Sequence, residues 1–233
     1  KTAGGAFQYS LSLIRSLALY QNIKLIVRHH DVYEYILETS AFSKSEILYF
    51  PFSKLEFYLE VIYRKMGLPV WLYRKLLFRL FPVNRFLSLQ KGCCIFPAQD
   101  SKAYLVPQDL VVGTVHDLMH LYEYRFKELS SSGIRNTHYQ SLVDYCDAVL
   151  VDSELGKTHL IENFKVECND KVKVLPFCVP ATDLILNVKT SSFDDGSLSR
   201  FIFYPAQFWE HKNHRTLVLA FSRLVLKYPE LKL

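Results

Sequence analysis

Apolar and polar residues form blocks along the chain that predict alternating strands and helices. Short apolar runs of strand length are separated by longer segments in which apolar residues recur every three or four positions, the spacing of one helix face. The predicted strands are 23–27, 47–50, 93–96, 110–115, 148–151 and 172–175. Strands of this length joined by helical segments favour parallel pairing, with helices on both faces. We therefore expect an α/β fold with a parallel sheet of six or seven strands up to residue 180.

Helical spacing marks the segments between these strands. The first predicted helix spans 7–20, and another spans 32–37. Residues 53–89 hold longer apolar, basic and aromatic segments, which are interrupted at Gly67-Leu68-Pro69 and again at Pro82. This stretch is therefore predicted to be a group of helices inserted between two strands.

The composition changes after residue 180. Residues 181–199 are mostly small and polar, which predicts a linker between a first domain, 1–180, and a second one. A new strand is predicted at 200–204 and a new helix at 213–228, with Leu217, Ala220, Phe221 and Leu224 on one face. Both chain ends look cut, so we expect 200–233 to be the incomplete beginning of a second domain, with Phe221 and Leu224 exposed.

Composition and charge narrow the class of protein. Half of the 233 residues are hydrophobic and 22% are charged, which is typical of a globular protein and excludes a disordered tail. The net charge of +5 is not gathered into one basic run, so a nucleic-acid partner is not indicated. The chain has neither an apolar run of membrane-spanning length nor a recognisable signal peptide. Five cysteines lack the spacing of zinc or redox motifs and are expected to be reduced thiols of a cytosolic protein: Cys93, Cys94, Cys146, Cys168 and Cys178.

Two glycines precede the first predicted helix. Gly4 and Gly5 would let the backbone approach a phosphate or a sugar, and the free N–H groups at a helix start favour an anion. An ordinary tight turn explains the same pair of residues.

His116 follows the predicted strand 110–115, at the edge where open parallel sheets bind their ligands. A histidine at this position can donate to a substrate oxygen or a phosphate, and it titrates near neutrality. Asp117 would orient it or cap the next turn, although a purely structural His-Asp pair is the alternative. His116 and His120 also have a zinc-ligand spacing, but no third ligand follows at a suitable distance along the chain.

Two later strand ends add further candidates. Ser153 follows the strand 148–151 and is predicted to cap the next helix, with a substrate-lining role as a second interpretation. In the segment 204–214 a strand ends, a loop follows, and a helix begins with Lys212 and Asn213 among its first residues. A lysine beside a helix N-terminus suits a diphosphate, whereas a solvated surface lysine is the alternative.

These segments, in this order, resemble the retaining glycosyltransferases of the GT-B fold, family 4, also called group 1. The similarity lies in residues 4–9 (GGAFQY), 113–118 (GTVHDL), 147–153 (DAVLVDS) with 171–176 (KVKVLP), and 204–214 (YPAQFWEHKNH). The last segment is the most specific, and it is similar to the form found in mannosyltransferase-type members.

The resemblance implies two Rossmann-like domains around a cleft, with the donor held mainly by the C-terminal domain and the acceptor by the N-terminal one. It implies that Gly4 and Gly5 approach the donor phosphates or the acceptor, that His116 contacts the transferred sugar, and that Lys212 neutralises the leaving diphosphate. The implied reaction moves a sugar, with mannose as one candidate, from a nucleotide-diphosphate sugar to a glycan or lipid-linked acceptor, as in polysaccharide biosynthesis. No metal or other cofactor is implied. Further substrate-binding candidates are Asp117, Ser153, Gln207 and Asn213.

Two departures from the family pattern leave alternatives open. Many members have an arginine five positions before the lysine, where this chain has Gln207, so one positive charge near the diphosphate is missing. The paired glutamates that grip the donor in the family would follow Leu233. A catalytically inactive GT-B-like binding or scaffold protein is the main alternative. A GT-B epimerase or phosphorylase is another, and the sequence shows neither the extra acid–base carboxylates nor the pyridoxal-binding lysine that these enzymes need.

Residues 53–91 carry eight basic and only two acidic residues, together with eight aromatic ones. Basic residues interleaved with aromatics suit the anionic inner face of a membrane. A pair of helices that packs its aromatics inward and leaves its basic residues in water explains the same composition. The segment belongs to the domain that the resemblance assigns to the acceptor, and family 4 acceptors are often lipid-linked. For this reason we expect a cytoplasmic protein that docks reversibly on the inner membrane face through residues 53–91.

Overall fold

The computed structural model describes residues 4–19, 23–39, 42, 46–123, 126, 132–177 and 201–233. This part of the chain is an α/β protein whose strand pairings are parallel. The strands are β1 (Leu25–Val27), β2 (Ile47–Tyr49), β3 (Cys93–Ile95), β4 (Leu110–Val115), β5 (Ala148–Val151) and β6 (Val172–Val174). The helices are α1 (Gly5–Ala18), α2 (His30–Thr39), α3 (Lys54–Lys65), α4 (Val70–Leu76), α5 (Pro82–Leu89), α6 (Met119–Tyr122), α7 (Ser132–Tyr145), α8 (Glu154–Asn163) and α9 (His214–Leu224). Short 3₁₀ helices lie at Phe78–Leu80, Ser101–Tyr104, Asn169–Lys171 and Glu210–Lys212.

The described strands form two parallel sheets. Strands β1 and β2 make one pair, and β3, β4, β5 and β6 make a four-stranded sheet in chain order. At its centre, Val112 of β4 lies opposite Ala148 of β5. The expected α/β fold with a parallel sheet is confirmed, but the expected single sheet of six or seven strands does not hold for the described residues. Apolar runs mark where strands form, whereas tertiary packing decides which strand edges meet.

The element boundaries follow the hydrophobic pattern closely in the sheet and less well at the chain ends. Strands β4 and β5 begin and end where the pattern predicts, and the other four strands are shorter by one or two residues. The strand predicted at 200–204 is wrong, because Phe201 makes only a single parallel bridge to Lys232. The helix predicted at 213–228 is also shorter, since Asn213 caps α9 and the helix ends at Leu224. The predicted linker, 181–199, lies outside the described residues.

The chain divides into two compact units. The N-terminal unit consists of Lys1–Leu118 and Gly133–Ala181, and the C-terminal unit consists of Met119–Ser132 and Thr182–Leu233. In the C-terminal unit, α9 has no buried residue. Leu224 is exposed there, as expected, whereas Phe221 is half-buried.

The four-stranded sheet and helices α7 and α8 contribute a large part of the core of the N-terminal unit. Val149 of β5, Leu142 of α7 and Leu160 of α8 are completely buried. Gly113 of β4 has no room for a side chain, because an added Cβ would lie 3.0 Å from Leu142 Cδ2 and 3.1 Å from Cys146 Sγ. The absence of a side chain at Gly113 therefore lets α7 pack directly on β4, the strand that carries His116 at its end.

Candidate functional site

The glycine pair forms the N-terminal end of α1. Gly4 is the N-cap residue with φ 102° and ψ 163°, a conformation that favours glycine. Gly4 itself makes no side-chain cap, and the first turn of α1 contains no acidic residue. The first N–H groups of a helix have no partner within it. The start of α1 therefore has N–H groups of the kind that favour an anion, and the binding role predicted for Gly4 and Gly5 stays a prediction.

His116 directly follows β4, at the carboxyl end of the four-stranded sheet, and its ring lies among aromatic side chains. The Tyr9 ring of α1 meets it edge to face at a centroid distance of 5.0 Å. The Phe177 ring lies 5.7 Å from His116 and 4.9 Å from Tyr9. Phe177 also reaches the glycine turn, because a Cβ on Gly5 would lie 4.0 Å from Phe177 Cε1. The structure therefore brings His116 and the start of α1 together around two aromatic rings.

The environment of His116 favours a neutral imidazole. Burial lowers the pKa of His116, and the negative charges of Asp152 and Asp117 and the nearby Pro97 carbonyl oppose this shift without reversing it. Both ring nitrogens are buried, and neither has a hydrogen-bond partner of good geometry in the described residues. A neutral imidazole can donate a hydrogen bond from one nitrogen and accept one at the other. Both nitrogens are covered in this structure, so a hydroxyl group or a phosphate oxygen would reach them only after the side chains around the ring move.

Asp117 and Ser153 have structural contacts at the same edge of the sheet. The Asp117 side chain is exposed, and its backbone carbonyl accepts a hydrogen bond of 3.1 Å from the Tyr139 hydroxyl. Ser153 caps α8, since its hydroxyl oxygen accepts a bond of 3.1 Å from the Gly156 N–H, which confirms the predicted cap. The same hydroxyl donates to Asp152 Oδ1 at 2.9 Å. The Ser153 hydroxyl is therefore already engaged as a cap, and Asp117 acts on His116 through its charge.

The loop 204–214 of the C-terminal unit is held by its own side chains. The Tyr204 hydroxyl donates a bond of 2.9 Å to the Lys212 carbonyl. The His214 ring lies 4.6 Å from the Phe208 ring and 5.2 Å from the Tyr204 ring. These contacts fix the backbone around Lys212, whose side chain remains exposed.

The order of residues at the start of α9 differs from the prediction. Lys212 ends a separate 3₁₀ helix, and Asn213 is the N-cap in the left-handed conformation with φ 54°. The Asn213 side-chain oxygen accepts a bond of 3.3 Å from the Thr216 N–H. Lys212 is thus just before α9 rather than in its first turn, and Gln207 is exposed in the preceding loop. Asn213 also contributes to a pocket of about 520 Å³, whose other lining residues are Met119, Glu123, Phe126, Glu210 and His211.

Two side chains of the His116 site were not among the predicted site residues. Tyr9 lies within the first predicted helix, and nothing in the sequence pattern marks it or Phe177 as a site residue. The position of Phe177 is nevertheless a usable signal, since this residue follows the end of β6 and so lies at the same carboxyl edge as His116.

Metal and thiol chemistry receive no support from the described residues. Within them, no group of three or more His, Cys, Asp or Glu side chains is arranged to hold a metal ion. Cys93, Cys94, Cys146 and Cys168 are unpaired, and Cys178 lies outside the described residues. Burial raises the pKa of Cys94 to about 11 and that of Cys146 to about 12, so both thiols are protonated and weakly nucleophilic at neutral pH.

Among the described helices, none combines the length and apolar character needed to cross a bilayer. Comparisons with models of protein families, with curated proteins and with solved structures found no match for this chain.

Proposed function

We propose that this protein is a glycosyltransferase that moves a sugar from a nucleotide-diphosphate sugar to a glycan or lipid-linked acceptor, with retention of configuration. The observation that carries the proposal is the position of His116. Its neutral ring lies beside Tyr9 and Phe177 at the carboxyl edge of a parallel sheet and close to the start of α1, where Gly4 provides no side-chain cap. The resemblance of five sequence segments to family 4 supports the same assignment.

In this proposal His116 holds the sugar that is transferred. One ring nitrogen donates to a sugar hydroxyl, while the aromatic rings of Tyr9 and Phe177 fix the plane of the imidazole. The lowered pKa of His116 keeps the ring uncharged, so it does not repel the positive charge that develops on the sugar as its bond to the phosphate breaks.

Lys212 stabilises the other half of the breaking bond. Negative charge develops on the leaving diphosphate, and a fixed ammonium group is most effective when it is already in place. The exposed side chain of Lys212 is available for this role, and the Tyr204 hydroxyl anchors its backbone. With Gln207 in place of an arginine, Lys212 carries a larger share of this task.

The test is turnover with a panel of uridine-, guanosine- and adenosine-diphosphate sugars, starting with GDP-mannose, in which release of the nucleoside diphosphate is measured. We expect at least one donor to be turned over, and His116→Ala and Lys212→Ala each to lower the rate by about 10²–10³-fold. His30→Ala and Lys165→Ala are matched controls at exposed positions and should keep the wild-type rate. Donor binding without turnover would support the inactive binding protein instead, and wild-type rates for both variants would remove them from the site.

A further inference from the structure

The helical segment 53–91 keeps its carboxylates inside the protein. Glu56 and Glu60 of α3 are its only acidic residues, and they are 2% and 4% exposed. Arg28 Nη2 lies 2.5 Å from Glu56 Oε2. Lys102 Nζ lies 2.5 Å from Glu56 Oε1 and 2.6 Å from Glu60 Oε1. Both cations come from outside the segment. Its negative charges are therefore neutralised internally and contribute nothing to its surface.

The same buried cluster orients all three helices of the segment. The Tyr73 hydroxyl of α4 donates to Glu60 Oε1 at 3.4 Å, and Lys102 Nζ donates to Asn84 Oδ1 of α5 at 3.4 Å. The Tyr63 and Tyr73 rings pack edge to face at 5.1 Å. The faces of α3, α4 and α5 that carry these residues are thus directed inward, and the remaining faces are left to solvent.

The outward face of α3 is apolar, and so is the turn that follows the helix. Leu55, Tyr58, Ile62 and Met66 recur at helical spacing, and each is between 53% and 65% exposed. A surface helix ordinarily packs its apolar stripe against the core and turns its charges outward. Helix α3 has the opposite arrangement, with carboxylates inside and an apolar stripe outside. An exposed apolar stripe of this kind marks an interaction surface.

Exposed cations and a tryptophan accompany this stripe on the segment. Trp71 is 62% exposed. Arg79 and Arg85 line a shallow depression of about 360 Å³ together with the apolar side chains of Leu80, Phe86 and Leu89. Arg74 is turned inward and donates to the Tyr104 carbonyl at 3.2 Å. Among the side chains of the segment that the structure describes, the exposed cations are Lys54, Lys65, Lys75, Arg79, Arg85 and Lys91.

We propose that the exposed side of residues 53–91, the docking face, binds the surface of a lipid bilayer that contains anionic lipids. The docking face consists of the apolar residues Leu55, Tyr58, Ile62, Met66 and Trp71 and the exposed cations just named. Exposed apolar side chains enter the boundary between headgroups and acyl chains, while lysine and arginine side chains contact the anionic headgroups. Docking of this kind is independent of any transferase activity.

The positive charge of the docking face favours a bilayer over a second copy of the chain as its binding partner. The docking face carries cations and no exposed carboxylate, so two copies brought face to face would repel each other. An anionic membrane complements the same charges and accepts the apolar stripe.

Sedimentation with vesicles tests the proposal. The protein should bind vesicles of phosphatidylcholine and phosphatidylglycerol much more strongly than pure phosphatidylcholine, and the binding should weaken as salt is added. Each basic residue near an anionic surface strengthens binding about fivefold, so Arg79→Gln with Arg85→Gln should weaken it about 25-fold. The matched control, Lys165→Gln with Arg223→Gln, removes two exposed cations elsewhere and should bind like the wild type.

A second variant separates the apolar contribution from the charge. Leu55→Gln with Ile62→Gln changes two exposed positions, so the fold should persist, as thermal unfolding can verify. We expect weaker vesicle binding that keeps its salt dependence. Equal binding to both vesicle types, or no binding, would overturn the proposal. A dimer in sedimentation equilibrium that Leu55→Gln with Ile62→Gln dissociates, with vesicle binding unchanged, would assign the face to a second copy instead.

Discussion

At the scale of single residues, His116 shows how position and surroundings together produce a candidate function. Its position after β4 follows from the sequence, but its neutral state follows from burial beside Tyr9 and Phe177. The charges of Asp152 and Asp117 limit the lowering of the His116 pKa without cancelling it. This balance has a measurable consequence for stability.

We predict that His116 makes the folded state less stable in mild acid. Because its folded pKa is lowered, the unfolded chain gains a proton near pH 6.5 that the folded protein does not. Stability is therefore unaffected by His116 above that pH and falls as the pH drops below it. Urea unfolding at about pH 7.5 and about pH 5.5 should show a smaller loss of stability for His116→Gln than for the wild type. The same loss in both proteins would contradict the burial argument.

At the scale of elements, helix α3 has its carboxylates inside and its apolar stripe outside. This arrangement depends on two cations contributed by other parts of the chain. Burial alone would raise the pKa of Glu56, but the hydrogen bonds and charges of Arg28 and Lys102 outweigh it and hold the pKa below 4.5. The stabilisation from this pairing is present above pH 4.5 and is lost as the pH falls below it. On its inward side, helix α3 is therefore held by ion pairs as well as by the packing of Tyr63 on Tyr73.

Removal of Lys102 tests this arrangement. Lys102→Met leaves Glu60 without its ammonium partner and Glu56 with Arg28 alone, so we expect the free energy of unfolding to fall by about 3–5 kcal/mol. Lys173→Met is the matched control, because Lys173 pairs with Asp170 on the open surface, and it should change stability little. Chemical denaturation of both variants measures the difference. Similar values for the two variants would show that the buried cluster contributes no more than a surface pair.

At the scale of the whole molecule, the two units differ in how much of their structure is buried. The strands β4 and β5 hold Val115, Val149 and Val151 at 2% exposure or less, whereas α9 has no buried residue. Amide hydrogens in well-packed structure exchange slowly, because that structure must open before they can exchange.

Hydrogen exchange followed by mass spectrometry should therefore separate the units. Peptides from β4, β5 and α7 are expected to exchange slowly, and peptides from α9 are expected to exchange faster at the same pH and temperature. Equal protection of α9 and β5 would mean that the C-terminal unit is covered by contacts beyond those of the unit itself.

Local patterns in the sequence were sufficient for much of the fold. Strands β4 and β5 match their predicted limits because their apolar runs are bounded by polar residues, and the Ser153 cap was predicted because its chemistry acts within three residues. The position of His116 after β4 was predictable for the same reason. The role of Lys212 and the identity of the substrates stay predictions.

Tertiary structure alone decided the features that join distant residues. Tyr9 and Phe177 meet at His116, and Lys102 reaches Glu56, although these residues lie far apart in the sequence. The division of the strands into two sheets and the outward apolar stripe of α3 were likewise absent from the hydrophobic pattern. Periodicity records which side chains share a face of an element, but the direction of that face depends on its long-range partners. For α3 those partners are the cations Arg28 and Lys102, which draw Glu56 and Glu60 inward and leave the apolar stripe in solvent.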